Sequence, residues 1–382
     1  MLMDVMGISL LLPVAPQLVL RFSSKAIMVT MIAVVYAAGQ FVAAPIIGKL
    51  GDRYGRRPVL LISILGQALG YLVFGLGGSM WMLLLGRLIG GITAGNLSTA
   101  NAYIADVSKP EERARNFALI GTAWSLGMIL GPALGGVFGT ISLEAPAFAA
   151  ALLALVGLVF CFFILPESLP VEKRESTPMR LRDLNPIASI FDMARLPGIG
   201  LLLLVNGLFS FAFNGVMSTS TLFAIQKFSA VTWQLSLLLI LAGIAIAISN
   251  TFVVPKVVPV LGEVKSCTLA LVSLAVAYAA IFFAPSFWMI FPLNMLASFS
   301  NSFIFPAIAT LSTKKVAPQQ IGTMLGVNTS VSSLTNMLGP LWAGGVYDGI
   351  AMGTPYWMGA LILLAAAWMV SEKRAARRMA RI

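Results

Sequence analysis

The sequence predicts an all-α integral membrane protein with twelve transmembrane helices in two six-helix bundles. Three observations lead there. Hydrophobic residues make up 59% of the 382-residue chain and charged residues only 10%, with a mean hydropathy of +0.93. A soluble core of this size would need far more charge to cover it. The apolar residues also fall into segments of about 20, the length that a hydrocarbon core about 30 Å thick demands. Finally, the longest charged, proline-bearing break separates those segments into two sets of six.

Taken in order, the segments cover 1–20, 28–48, 59–78, 81–104, 116–138 and 146–164, then 198–222, 232–254, 265–284, 287–310, 321–345 and 351–370. The first reads as a membrane span rather than a cleavable leader, because it holds Asp4 and two prolines and lacks a basic start. The expected domains are a bundle at 1–165, a cytoplasmic linker at 166–197, a second bundle at 198–370 and a basic tail at 371–382. Within the linker, 185–195 is expected to form a helical piece along the membrane surface. Of the 25 Lys and Arg residues, 21 lie in the linker, the tail and the connectors on the same side. The positive-inside rule then places both termini in the cytoplasm and the protein in the cytoplasmic (inner) membrane. The tail's cations suit anionic lipid headgroups.

Composition excludes several functions. The chain has no histidine, and Cys161 and Cys267 fall inside apolar spans, so neither a metal site nor a disulfide framework is expected. The net charge of +11 belongs to membrane topology rather than to nucleic-acid binding. No nucleotide-binding loop and no carboxylate cluster is present, so no cofactor, no metal and no enzymatic activity is expected. A single chain would enclose a transport path, so a monomer is expected.

An internal repeat supports two halves. Gly131-Pro132 is echoed by Gly339-Pro340, and Pro110-Glu111-Glu112 by Pro318-Gln319-Gln320, both at an offset of 208 residues. Parallel duplication of a helical unit is a recurring transporter design.

The connector after the second span reads Gly48-Lys49-Leu50-Gly51-Asp52-Arg53-Tyr54-Gly55-Arg56-Arg57-Pro58. Its glycines allow tight turns, and its carboxylate sits among guanidinium groups. This resembles the signature loop of the major facilitator superfamily. The resemblance implies a gating role for Gly48, Asp52, Arg53, Gly55, Arg56 and Arg57. It also implies that Asp52 caps the helix starting near Ile321, and that Asp106 pairs with Arg53 or Arg113. Glu263 and Lys265 form a weak echo before the ninth span. Arg87-Leu88-Ile89-Gly90-Gly91 resembles a motif of proton-linked members. Gly127, Gly131, Pro132, Gly135 and Gly136 resemble the motif of drug–proton antiporters, and residues 1–16 and 103–115 resemble tetracycline efflux proteins. Alone, the glycines also suit a packing face.

Ionisable side chains inside a membrane point to function. Two lie well inside spans, Asp4 and Arg87, and they are the proton-coupling candidates, although their depths differ. Tetracycline pumps carry further membrane carboxylates in spans three and nine; here the third offers Gln67 and Tyr71, and the ninth offers no charge. Amide and aromatic candidates for a substrate cavity are Gln17, Tyr36, Asn96, Asn101, Trp124, Asn206, Phe209, Phe213, Asn214, Gln234, Asn294, Phe299 and Asn328. That set suits a lipophilic or amphipathic solute. The expected function is therefore proton-linked export of such compounds by alternating access. Uniport or symport of a neutral metabolite, or lipid transport, is the alternative.

Overall fold

The computed structural model describes residues 1–94, 96–108, 113–170, 174, 186–316 and 321–371; at 45, 96–98, 101, 102, 105, 113–120, 186–189 and 321–323 it describes the backbone alone. Among these residues the regular structure is helical, with no strand. The chain divides into two compact units, Met1–Leu184 with Val231–Ile240, and Asn185–Ala230 with Leu241–Ile382.

The first unit contains α1 (Leu2–Leu10), α2 (Ala15–Leu20), α3 (Ala26–Tyr54), α4 (Arg56–Leu76), α5 (Met80–Thr93), α6 (Asn96–Val107), α7 (Arg113–Gly139) and α8 (Ala145–Ile164). The second contains α9 (Pro186–Ala194), α10 (Ile199–Phe228), the later part of α11 (Thr232–Ile248), a π-helical turn at Ser249–Val253, α12 (Val254–Leu261), α13 (Glu263–Phe283), α14 (Phe287–Thr313), α15 (Ile321–Gly349) and α16 (Thr354–Val370). Nine helical stretches among the described residues are long and apolar enough to cross a membrane, and Met80–Thr93 and Thr354–Val370 are shorter apolar helices.

Three of the expected spans are interrupted. A turn at 11–14 separates α1 from α2, where Pro13 and Pro16 cannot donate backbone amides. The fourth span divides into α5 and α6. The eighth runs through the π turn into α12; Pro255 withholds the amide that Thr251, inside that turn, would otherwise receive.

Glycine sets the helix spacing in the first unit. A Cβ on Gly70 would lie 2.8 Å from the Gly86 carbonyl oxygen and 2.8 Å from the Gly90 nitrogen, so α4 and α5 meet backbone to backbone. In the second unit, a Cβ on Gly339 would lie 2.6 Å from the Phe211 carbonyl oxygen, bringing α15 equally close to α10. The expected helical piece at 185–195 is α9, and its end docks rather than lying free. Met193 joins Ile199, Leu203, Met324, Val327 and Val331 in a buried cluster shared with α10 and α15.

Candidate functional site

The first site is the charged corner between α3 and α4. Gly55 takes φ +102° and ψ 156°, a conformation closed to ordinary side chains. The chain therefore reverses within one residue and turns Arg56 inward, where it is 9% exposed. Arg56 Nη2 lies 2.5 Å from Asp52 Oδ1, and its Nε donates to Asp106 Oδ2 at 3.3 Å. One buried guanidinium thus joins carboxylates from α3 and α6. Arg53 is exposed and lies 5.7 Å from the Tyr54 ring centroid. Arg57 donates through Nη2 to the Phe162 carbonyl at 2.6 Å. Among the described residues the cation that pairs with Asp106 is therefore Arg56. The expected pairing with Arg53 fails because the glycine reversal turns Arg56, not Arg53, toward α6. The side chain of Arg113 lies outside the described residues, as does the side chain of Ile321 at the helix that Asp52 was expected to cap.

Sequence reasoning missed Glu167. Its carboxylate accepts the backbone amides of Arg56 at 2.9 Å, Arg57 at 3.2 Å and Leu169 at 3.0 Å. It thereby satisfies the exposed amides at the start of α4. Ser168 adds a hydrogen bond to Asp106 Oδ2 at 3.3 Å, and Tyr103 donates to the Pro166 carbonyl at 3.1 Å. Burial raises the Glu167 pKa, but the amides of Leu169, Arg56, Arg57 and Ser168 outweigh it and hold the carboxyl below the ordinary value. Pro166-Glu167 directly after an apolar span, a lone acid beside a basic loop, was the available signal.

The second site lies within the spans. The Arg87 guanidinium stands 4.3 Å from the Tyr36 ring centroid, and its Nε reaches the Ile32 carbonyl at 3.5 Å. Gly91 permits this approach, since a Cβ there would collide with the Tyr36 carbonyl oxygen. Tyr71 presses on α1 beside Gly7, whose Cβ would meet the phenol oxygen at 3.1 Å. Asp4, on the first turn of α1, lies 3.3 Å from the Met1 amine. Among the described residues no ion pair joins Asp4 to Arg87.

The span-five motif forms a helix seam. Ser9 donates to the Gly127 carbonyl at 2.8 Å, and a Cβ on Gly127 would lie 2.7 Å from that of Val5. Gly131 and Gly135 face the backbone of α1, while Gly136 faces Ser236. Pro132 sits inside α7.

The cavity candidates scatter. Asn206 donates to the Asn328 carbonyl at 3.1 Å, and both residues are buried. Asn214 donates to the Ser210 carbonyl of its own helix at 2.7 Å. Gln234 accepts the Val231 amide at the start of α11, at 3.0 Å. Gln17 bonds the Pro13 carbonyl at 2.9 Å and the Thr232 hydroxyl at 3.1 Å. Phe209 and Phe213 stack at 5.9 Å, and Trp124 is exposed. Asn294 is half-buried on α14. Phe299 lines a crevice in the second unit. The side chains of Asn96 and Asn101 lie outside the described residues.

The family model for the Major Facilitator Superfamily matches residues 1–340. The chain belongs to this superfamily. It is 33% identical over 352 residues to the class C tetracycline resistance protein of Escherichia coli, covering 91% of this chain and 88% of that protein. It is 34% identical over 324 residues to human major facilitator superfamily domain-containing protein 10, covering 81% and 70%. The crystal structure of that human organic anion transporter superposes with a TM-score of 0.74 at 29% identity, covering 97% of this chain and 96% of the other. The chain is therefore a multi-pass membrane transporter of a small molecule and not an enzyme.

Proposed function

We propose that the chain exports hydrophobic or amphipathic compounds, tetracycline-like drugs among them, in exchange for protons. The observation that carries this reading is the intramembrane group of Asp4, Tyr71, Tyr36 and Arg87. Tyr36 stands against the Arg87 guanidinium, Tyr71 packs on α1, and α1 carries Asp4. A carboxylate and a guanidinium held in one bundle with phenols between their helices can serve to load and release a proton. The relatives named for tetracycline resistance support the substrate class, and the scarcity of intramembrane cations argues against polyanionic cargo.

In this reading the halves rock about a central path, and substrate and proton favour opposite states. The Asp52, Arg56 and Asp106 corner, together with Gly48, Arg53, Gly55 and Arg57 of the same loop, latches one state, and Arg113 is assigned to the latch on its motif alone. Cavity contacts come from the candidates not engaged within their own bundle, Trp124 among them. The basic connectors support both termini in the cytoplasm and a position in the cytoplasmic membrane, and a transport path within one chain supports a monomer.

Proteoliposome flux tests this. Tetracycline transport should follow an imposed pH gradient, and Asp4→Asn should abolish that dependence while substrate binding persists. The scarcity of membrane carboxylates favours a second reading, facilitated movement of a neutral solute. Counterflow of such a solute that continues after the gradient is collapsed would select it.

A further inference from the structure

In the second unit, a crevice of about 210 Å³ opens between α12, α13 and α14. Val257, Leu261, Leu269, Leu296, Phe299 and Phe303 give it apolar walls. Leu261, Leu269 and Leu296 are also exposed at its mouth, so in a spanning unit it opens toward lipid. Three hydroxyls interrupt the apolar lining. Ser300 donates to Ser273 at 2.9 Å, and those two satisfy each other. Ser266 differs. It is 3% exposed, and among the described residues its hydroxyl has no hydrogen-bond partner.

An unpartnered buried hydroxyl is costly, and a ligand that enters the crevice with a carbonyl group offers the acceptor Ser266 lacks. The depth of Ser266 narrows the choice. It sits three residues into α13, about 4.5 Å along the axis, where the hydrocarbon core gives way to the headgroup region. The carbonyl of a glycerolipid ester lies at that level. Deeper in, the crevice continues past Leu269 and Ala270 to Ser273. Its volume is below the roughly 300–1,000 Å³ of pockets for drug-sized ligands, and so suits part of one chain rather than a fused-ring drug. Lys256 and Lys265, both exposed, are next in the chain to the lining residues Val257 and Ser266. Glu263 on the first turn of α13 is already paired with Lys314, so the helix ends around Ser266 hold an excess of positive charge.

We propose that this crevice binds one acyl chain of an anionic glycerophospholipid, with its ester carbonyl on the Ser266 hydroxyl and its phosphate beside Lys256 and Lys265. The site is separate from the proton and gating groups and does not depend on the transport reading.

Native mass spectrometry of the full chain in detergent, titrated with phosphatidylglycerol or phosphatidylcholine, tests it. One phosphatidylglycerol should be retained in preference to phosphatidylcholine. Ala270→Leu, which narrows the crevice, should lower retention about tenfold. Ser266→Ala, which removes only the acceptor's partner, should lower it about fivefold, as loss of one hydrogen bond worth about 1 kcal/mol requires. Lys256→Gln should erode the headgroup preference, and Leu361→Trp on exposed α16 should leave retention unchanged. Ser266→Ala keeps the proposal testable if Ala270→Leu fails to fold. Equal retention by the wild type and Ser266→Ala would overturn it, as would equal binding of the two lipids.

Discussion

The two halves build the same corner with opposite charges. In the first, Gly55 at φ +102° and ψ 156° precedes Arg56 at the start of α4, which pairs with Asp106 near the end of α6. In the second, Gly262 at φ 78° and ψ 158° precedes Glu263 at the start of α13, which pairs with Lys314 at the end of α14, 2.5 Å away. A helix N-terminus favours an anion and a C-terminus a cation. The second corner follows that preference at both ends, whereas the first opposes it at both ends. The first then needs outside help, and Glu167 supplies a carboxylate to the α4 amides. One corner is stable from its own two helices. The other is held by a network in which Arg56 and Asp106 each have more than one partner, an arrangement consistent with the latch proposed above.

The largest contrast should come from removing the central cations. Arg56→Ala leaves Asp52 and Asp106 without their shared partner and should lower transport at least about tenfold, since an unpaired charged group costs at least about 1–3 kcal/mol. Lys314→Ala, at an exposed pair, should change it less than about twofold. Flux in matched vesicles checks both, and equal losses would break the comparison.

Next in size is the small-residue seam that both halves share. Gly131→Val on α7 forces a side chain into α1 and should cost about 1–3 kcal/mol, as overpacking does. Gly339→Val on α15 should cost a similar amount against α10, read as a fall in detergent melting temperature.

A smaller effect isolates the cap. Glu167→Gln weakens the hydrogen bonds to the α4 amides and should destabilise by about 1 kcal/mol. The sign with pH follows from its depressed pKa. The stabilisation is complete above the unfolded value near 4.3 and is lost as pH falls through the lower folded value. Melting temperature should therefore drop below about pH 4, and Glu167→Gln should flatten that part of the profile.

The smallest expected change sharpens the dipole argument. Reversing the second corner with Glu263→Arg and Lys314→Asp should keep the pair but oppose both helix ends. A modest fall in melting temperature is expected, and no fall would remove the dipole from the explanation.

Much of this was legible in the sequence. Apolar runs announced the membrane helices, and the Gly48–Pro58 connector announced the family. The interruptions at Pro13 and near Pro255 were also written there, as residues without amides. Asn206 and Asn328 were visible as amides in spans, but their mutual hydrogen bond was not. That bond ties the Asn206 side chain of α10 to the α15 backbone. Likewise, the glycines of α7 were evident, but the α1 backbone they accommodate was not.

The sequence by itself determined where the chain is oily, where it is charged and where glycine permits a reversal, because those properties belong to single residues and their spacing. Only the tertiary structure decided which charges meet. The direction of Arg56 depends on one glycine's dihedrals and on the phase of α4, and Glu167 arrives from 111 residues away. No local pattern encodes a partner that packing alone brings within 3 Å.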